Sequence, residues 1–316
     1  MLFNFLSKFF SKEPKSPAYR VIDIHNIPKS IGIGIWSEER HFTSEAIEEF
    51  DNFVYQIDHE NERQTYWLQL NLIWLSRQHK QLKGNYQLVE TKDFLILLPS
   101  SSIKLTAVMA TFETAYVRIL STLPGITKPV KEGKLPVMLF ENKEEYYRYV
   151  EQYYSEGEFS MSAGMCIFKP LIHFCMPYDD LDVLEPTIIH ELTHAYTSHL
   201  PLPVWLSEGL ATNIEHRFYN TFHTSSAFEQ IEKHQQFWND QTIEKFLSGQ
   251  LFSEPGEGSQ RSYELAMLIT QSLAGDYDRF TQLINYANFE DAGNKAMLDI
   301  YGVSLNDYIE HFLIKS

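Results

Sequence analysis

Two histidines and a glutamate within five residues form the clearest chemical pattern in the chain. The segment IIHELTHAYTSHL, which begins at Ile188, contains His190 and His194, with Glu191 directly after the first histidine. On a helix, residues four apart lie about 40° apart around the axis and one turn apart along it, so both imidazoles can bind one metal ion. Glu191 would then lie beside the ion, where it could take up and return a proton as general base and general acid.

This pattern also arises by chance in chains that bind no metal, so a third ligand decides between the two interpretations. Catalytic zinc has three protein ligands and leaves its fourth position to water, whose pKa falls toward neutrality. Glu208 follows His194 by fourteen positions (208 − 194), in the segment VWLSEGLATNIEHRF. Pro201 and Pro203 separate the two segments, and a short turn there can bring Glu208 against the histidines. The spacing therefore predicts a zinc site made by His190, His194 and Glu208.

Both segments have the periodicity of packed helices. Apolar residues recur at steps of three and four on the side away from the expected ligands. They are Ile188, Leu192 and Ala195, with His199 continuing the stripe, in the first segment, and Leu206, Leu210 and Ile214 in the second. We therefore expect two helices, each with a ligand face and a core face.

The residues before these helices alternate between strand and helix patterns. GNYQLVETKDFLILLPS predicts a hairpin that turns at residues 91–93, and residues 137–140 predict a buried strand followed by a helix that Asn142 caps. MCIFKPLIHFCMP predicts two short strands that turn at Lys169 and Pro170. Either residues 165–168 or residues 172–175 could form an edge strand that binds an extended peptide, and a plain structural hairpin is the alternative.

The order of these elements predicts an α+β fold, with the strands first and a run of helices last. A change of pattern just after Lys83 predicts two units, an N-terminal region of residues 1–84 and a second unit of residues 85–316. We expect the N-terminal region to be mostly helical because residues 44–78 have helical spacing, although YRVIDIH could form a strand. Its role is not predicted.

HELTHAY followed by LPVWLSEGLA resembles the gluzincin metallopeptidases, and most closely the peptidase MA-like group, in which a WLxEGLA segment carries the third zinc ligand. The similarity extends over residues 85–316. LPVMLFENKEEYYRYV is similar to the strand and helix before the active-site helix of that group, and SYELAMLITQSLAGDYDRFTQLI and AMLDIYGVSLNDYIEHFL are similar to its closing helices. The resemblance implies a zincin-like catalytic domain with a small mixed sheet, an edge strand, an active-site helix and a mainly helical C-terminal part. It also implies hydrolysis of peptide bonds in a peptide or protein substrate.

Residue by residue, the resemblance assigns His190, His194 and Glu208 to one zinc ion and makes Glu191 the catalytic base and acid. Tyr263 falls where this group often has a tyrosine at the start of the next helix. Its hydroxyl could donate a hydrogen bond to the oxyanion of the tetrahedral intermediate, and a packing role is the alternative.

The chain departs from the thermolysin-like gluzincins at Thr212, where those proteins have an aspartate that orients a histidine. That role then falls to a backbone carbonyl, Asn213 or Glu215. A non-catalytic binding or regulatory protein on the same scaffold, with structural or vestigial zinc, is the alternative function. His216 or His223 could line the cleft, and a fourth protein ligand such as His223 would favour that alternative.

Other titratable residues near the motif have simpler interpretations. His173 and His199 are expected to be structural, because the first lies in a predicted strand and the second on the core face of a helix. Glu254 and Glu257 lie among glycine and proline, which indicates a solvated loop that could border the cleft.

Composition limits the partners and the compartment. Lys and Arg total 26 against 42 for Asp and Glu, and the resulting net charge of −16 argues against general binding to nucleic acid or anionic membranes. Cys166 and Cys175 are expected to be buried thiols, with one disulfide as the less favoured alternative.

The N-terminus lacks a basic region and a cleavage site, and no later stretch approaches about 18 apolar residues, so we expect a cytoplasmic protein. Apolar residues at helical spacing within residues 1–12 could make weak contact with a membrane surface or dock on the protein.

Overall fold

The computed structural model describes residues 18–31, 36–37, 42–101, 104–130, 133–154, 162–219, 233–254 and 256–315. Two features of the sequence lie outside these ranges, namely the amphipathic pattern of residues 1–12 and His223.

A six-stranded mixed sheet is the scaffold of the described structure. Its strands are β1 (Arg20–Ile22), β4 (Tyr86–Glu90), β5 (Phe94–Pro99), β6 (Leu135–Phe140), β7 (Met165–Ile167) and β8 (His173–Pro177), and β2 (Ser30–Ile31) and β3 (Trp36–Ser37) form a separate pair. The strand order is β1-β4-β5-β6-β8-β7. β6 lies parallel to both β5 and β8, whereas β7 is antiparallel to β8. β7 is therefore an edge strand and β8 an interior strand.

The central strands are apolar at nearly every position because helices cover both faces of the sheet. Every residue of β5 (FLILLP) and β6 (LPVMLF) is buried, as expected for strands enclosed on two sides. β4 and β5 form the predicted hairpin, in which the Thr91 hydroxyl accepts a hydrogen bond from the Phe94 N–H. The predicted cap is also present, since the Asn142 side chain accepts from the Glu145 N–H at 2.9 Å.

Twelve helices surround the sheet in the described ranges. They are α1 (Ser44–Tyr55), α2 (Glu60–Gln81), α3 (Leu105–Thr122), α4 (Lys143–Val150), α5 (Leu181–Thr197), α6 (Val204–Tyr219), α7 (Asp240–Leu247), α8 (Gln250–Ser253), α9 (Glu257–Leu273), α10 (Tyr277–Tyr286), α11 (Asn294–Tyr301) and α12 (Leu305–Lys315), with 3-10 turns at Ile24–Asn26 and Phe289–Asp291 and a further helical stretch at 233–237. Helices α1, α2 and α4 contribute to the core on one face of the sheet. Helices α3, α5, α6 and those that follow contribute to the core on the other. The α+β class and the helical C-terminal part are as predicted.

The expectation of a mostly helical N-terminal region is wrong. Three short strands and a 3-10 turn precede α1, and β1 joins the main sheet beside β4, where the Arg20 guanidinium forms an ion pair with Glu90. Strands of two or three residues are too short to produce a recognisable alternation, so the sequence indicated only β1. The division at residue 84 stays a prediction; Phe50 and Trp67 share one core with Leu95 and Phe140 of the sheet.

Two smaller expectations can be compared with the structure. His199 is exposed rather than buried, because α5 ends at Thr197 and the core stripe ends with it. Cys166 and Cys175 are free, buried thiols that belong to the cores on opposite faces of the sheet. None of the described helices is long and apolar enough to cross a membrane.

Candidate metal centre

The HExxH helix and the helix after it pack against each other at one side of the sheet. Ile188 and Leu192 fix α5 through its buried core face, and Leu206 does the same for α6. Trp205, also fully buried, donates its indole N–H to the Ala292 carbonyl at 2.9 Å and so fixes the start of α6. The faces of α5 and α6 that point away from the core line a common cleft.

Three of the predicted ligands converge there. His190, His194 and Glu208 each offer a donor atom, and these atoms all lie within 4.8 Å of one another. Glu208 Oε2 lies 3.2 Å from His190 Nε2 and 3.5 Å from His194 Nε2. A tetrahedron with zinc–ligand bonds of about 2.05 Å has edges of about 3.3 Å, so the types of the three donors and the two distances from Glu208 fit a zinc ion. The same donor atoms could instead bind one shared cation.

The other nitrogen of each imidazole has its own partner. His190 Nδ1 donates to Glu215 Oε2, and His194 Nδ1 forms a hydrogen bond with Ser207 Oγ, both at 2.9 Å. These bonds orient the rings and leave both Nε2 atoms for the metal, which is the usual arrangement around metal-bound histidine. Of the orienting groups that the sequence suggested, Glu215 has this role. Asn213 does not; its amide donates to groups on α9 and to the carbonyl of Gly209.

Electrostatics at the triad favour a positive charge. Burial alone would raise the pKa of Glu208, but the charge of His194 and the hydrogen bonds from both histidines lower it well below its ordinary value. Burial also opposes protonation of His190, yet its hydrogen bonds to Glu208 and Glu215 raise its pKa well above the ordinary value. Both shifts come from contacts between carboxylate and imidazole: Glu208 lies beside His194 and His190, and His190 lies between Glu208 and Glu215. A divalent cation bound between the same groups would neutralise the same charges.

Glu191 lies beside the triad and is held by the edge strand. Its Oε2 accepts a hydrogen bond from the backbone N–H of Cys166 at 2.8 Å. Burial and the neighbouring charge of Glu208 raise the pKa of Glu191, against the opposing effect of the histidines and of the Cys166 N–H. The sequence could not predict this contact, because a backbone N–H has no signature in residue type.

A glycine allows the edge strand to approach α5 this closely. A Cβ atom at Gly164 would lie 2.7 Å from Thr187 Cγ2 on α5 and 3.1 Å from a ring carbon of Phe174. Any larger residue would push the start of β7 away from the helix that carries Glu191. Of the two candidate edge segments, the structure places residues 165–167 at the edge, and peptide binding along them stays a prediction.

Tyr263 reaches the same cleft from α9. Its ring centre lies 6.4 Å from that of His190 and 5.2 Å from that of Phe252. The charge of Glu208, followed by burial, raises the pKa of Tyr263 well above its ordinary value, so the hydroxyl keeps its proton. Its predicted role as a donor to the oxyanion is not tested by these contacts.

Close packing of α6 on α9 fixes the distance between Glu208 and Tyr263. A Cβ atom at Gly209 would lie 2.5 Å from the Ala266 carbonyl oxygen, so the two backbones touch at this glycine. Asn213 reinforces the contact by donating to the Met267 carbonyl at 2.9 Å and to the Thr270 hydroxyl at 2.6 Å. Close packing of α6 on α9 therefore requires glycine at position 209, directly after Glu208.

The triad, Glu191 and Tyr263 line one cleft of about 1450 Å³. Glu254 and Glu257 border it, as expected, whereas His216 lies on α6 without lining it. His173 is fully buried, where it hydrogen-bonds the Tyr149 hydroxyl at 2.7 Å and the Leu171 carbonyl at 2.8 Å, as expected of a structural histidine.

Fold and site together define an α+β protein with a candidate three-ligand metal centre. In comparisons with protein-family models, curated proteins and solved structures, the chain has no significant match. Its function must therefore be inferred from the site itself.

Proposed function

We propose that the chain is a zinc-dependent peptidase of the gluzincin type. The observation that supports this proposal is the convergence of His190, His194 and Glu208 beside Glu191 in one cleft. Two imidazoles and a carboxylate are a ligand set of catalytic zinc in peptidases, and three protein ligands leave one position open. Within the described residues the group that could share an ion consists of these three, which favours a catalytic site over a closed structural one.

Zinc bound there would supply a Lewis acid that polarises the scissile carbonyl and lowers the pKa of water. Glu191 would take a proton from the attacking water as its oxygen bonds to the carbonyl carbon. The same carboxyl would give that proton to the amide nitrogen as the C–N bond breaks. Since the Cys166 N–H occupies Oε2 of Glu191, the Oε1 atom is left to accept the proton.

Tyr263 would stabilise the charge that develops on the carbonyl oxygen. Its phenol lines the same cleft as Glu191, on a helix fixed to α6 through Gly209, and it donates its O–H as that oxygen becomes negative. Glu215 and Ser207 would keep the histidine rings in place throughout the reaction.

Zinc analysis combined with a peptide-library cleavage assay tests the proposal. Wild type and Glu191→Gln should both contain one zinc per chain, but only wild type should cleave, and a chelator should abolish cleavage until zinc is restored. Glu185→Gln is the matched control, because it makes the same substitution on the same helix away from the cleft. Cleavage by Glu191→Gln would disprove the mechanism, and wild-type protein without zinc would disprove the metal centre.

A further inference from the structure

One basic side chain faces the candidate active-site cleft. Among the described residues that line it, Arg261 is the only lysine or arginine, whereas five glutamates contribute carboxylates, namely Glu191, Glu208, Glu215, Glu254 and Glu257. The Arg261 side chain is buried, with only 6% of its surface exposed. A buried guanidinium in an acidic cleft of a chain with net charge −16 requires a specific explanation.

The guanidinium is held rigidly from one side. Its Nη1 donates to Glu264, which is equally buried, and its Nε makes a longer contact of 3.5 Å with the exposed Glu257. Glu264 also accepts from Gln260 at 3.0 Å and lies 3.2 Å from His234 Nε2. Glu264 therefore pairs with Arg261 through Nη1 and fixes the orientation of its guanidinium.

Part of the guanidinium remains available to the cleft. In the described part of the chain, the second terminal nitrogen, Nη2, makes no hydrogen bond to protein, and Arg261 lines the cleft. Arginine presents donors in a planar fork that matches a carboxylate. Arg261 is also the fifth residue of α9, near the positive end of the helix, where a cation is disfavoured and an anion is favoured.

We propose that Arg261 binds a carboxylate of the peptide substrate. Elsewhere in the cleft the glutamates repel an anionic group, so this one cation would select both the substrate and its register. The carboxylate could belong to an acidic side chain or to a free C-terminus, because both present the same two oxygens. This inference rests on the proposed peptidase function for its substrate class.

Binding measurements on the zinc-loaded Glu191→Gln protein test the inference separately from catalysis. The probes are short fluorescent alanine–leucine peptides in which one glutamate or one glutamine occupies each position in turn, each made with a free or an amidated C-terminus. The carboxylate form should bind about ten- to hundredfold more tightly at one position, the range expected of a charge-assisted hydrogen bond. A preference for internal glutamate identifies a side-chain carboxylate, and a preference for the unamidated peptide identifies the C-terminus.

Two variants in that background show whether Arg261 is responsible. Arg261→Gln combined with Glu264→Gln removes the buried pair without leaving an unpaired charge, and Arg261→Lys keeps the charge but loses the fork. Both should reduce the preference severalfold or more while the amide and glutamine peptides bind as before. Lys245→Gln is the control, because Lys245 pairs with Glu254 at the edge of the cleft but does not line it.

The inference fails if no carboxylate preference exists, if no peptide binds, if the preference survives in both correctly folded Arg261 variants, or if Lys245→Gln removes it equally. A carboxylate preference in a chain whose wild type cleaves no peptide would disprove the peptidase function and leave the anion site standing. Peptide cleavage by wild type without any carboxylate preference would support the peptidase function and disprove the anion site at Arg261.

Discussion

Replacing Glu215 should weaken zinc binding even though Glu215 does not contact the metal. Its carboxylate accepts from His190 Nδ1 at 2.9 Å, and the two side chains are only 21% and 14% exposed, so water screens the contact weakly. A hydrogen bond to a charged group contributes about 1.5–3 kcal/mol, and about 1.4 kcal/mol corresponds to a tenfold change in affinity. Glu215→Gln keeps an acceptor oxygen but loses the charge, so we expect zinc affinity to fall about tenfold, with Glu215→Ala nearer to a hundredfold.

Ser207 provides an internal comparison. It orients the other ligand, His194, through the same ring nitrogen at the same distance of 2.9 Å, but with a neutral hydroxyl. A neutral hydrogen bond contributes about 0.5–1.5 kcal/mol, so Ser207→Ala should weaken zinc binding by about two- to tenfold. Glu254→Gln is the electrostatic control, because it removes a charge from the same cleft without contacting a ligand.

Competition with a chromophoric zinc chelator, at fixed pH and ionic strength, measures these affinities, and circular dichroism checks that each variant is folded. The expected order of zinc affinity is wild type, Glu254→Gln, Ser207→Ala, Glu215→Gln and Glu215→Ala. The reasoning is refuted if Glu215→Gln binds zinc as tightly as wild type, or if Glu254→Gln weakens binding as much, since the effect would then come from overall cleft charge.

Three further outcomes follow from particular contacts. Gly209→Ala should destabilise the fold by about 1–3 kcal/mol in urea unfolding, because the new Cβ would overlap the Ala266 carbonyl. Gly258→Ala should be nearly neutral, because its Cβ would lie 3.1 Å from the end of the flexible Leu251 side chain and in ordinary contact, at 3.8 Å, with the Phe237 ring. Burial lowers the pKa of His173 to about 4, so between pH 6.5 and 4 this imidazole is protonated only in the unfolded chain. The free energy of unfolding should therefore fall by about 3 kcal/mol as the pH decreases through this window. The fall should be smaller in His173→Gln. Tyr263→Phe should lower kcat about a hundredfold at unchanged KM and zinc content, and an unchanged kcat would assign Tyr263 to packing alone.

The parts of the site that sequence could predict are those encoded locally. The spacing of His190 and His194 on a helix, and the return of Glu208 after two prolines, depend on a single helical hairpin, and the structure brings these residues together. The same holds for the Asn142 cap and the β4–β5 hairpin, which involve residues only a few positions apart.

The remaining features depend on contacts between distant parts of the chain. Sequence alone could not decide whether residues 165–168 or 172–175 lie at the edge, because the order of strands in a sheet follows from packing. The Ser207 and Arg261 side chains have no distinctive spacing, and the Cys166 contact uses a backbone N–H. His199 was misplaced because a periodic pattern does not specify at which residue a helix ends.

Two close contacts at glycine determine where the proposed catalytic groups lie. Gly164 lets β7 approach α5, where the Cys166 N–H donates to Glu191. Gly209 lets α6 approach α9, where the Tyr263 ring lies 6.4 Å from that of His190. Neither glycine belongs to the proposed ligand set, so the positions of the proposed base and of the phenol depend on residues other than the ligands. The HExxH pattern therefore predicts two of the metal ligands, whereas the proposed arrangement for catalysis depends on backbone packing at two positions on separate elements. A chain that kept the three ligands and lost either glycine should bind zinc without positioning the groups that act on a substrate.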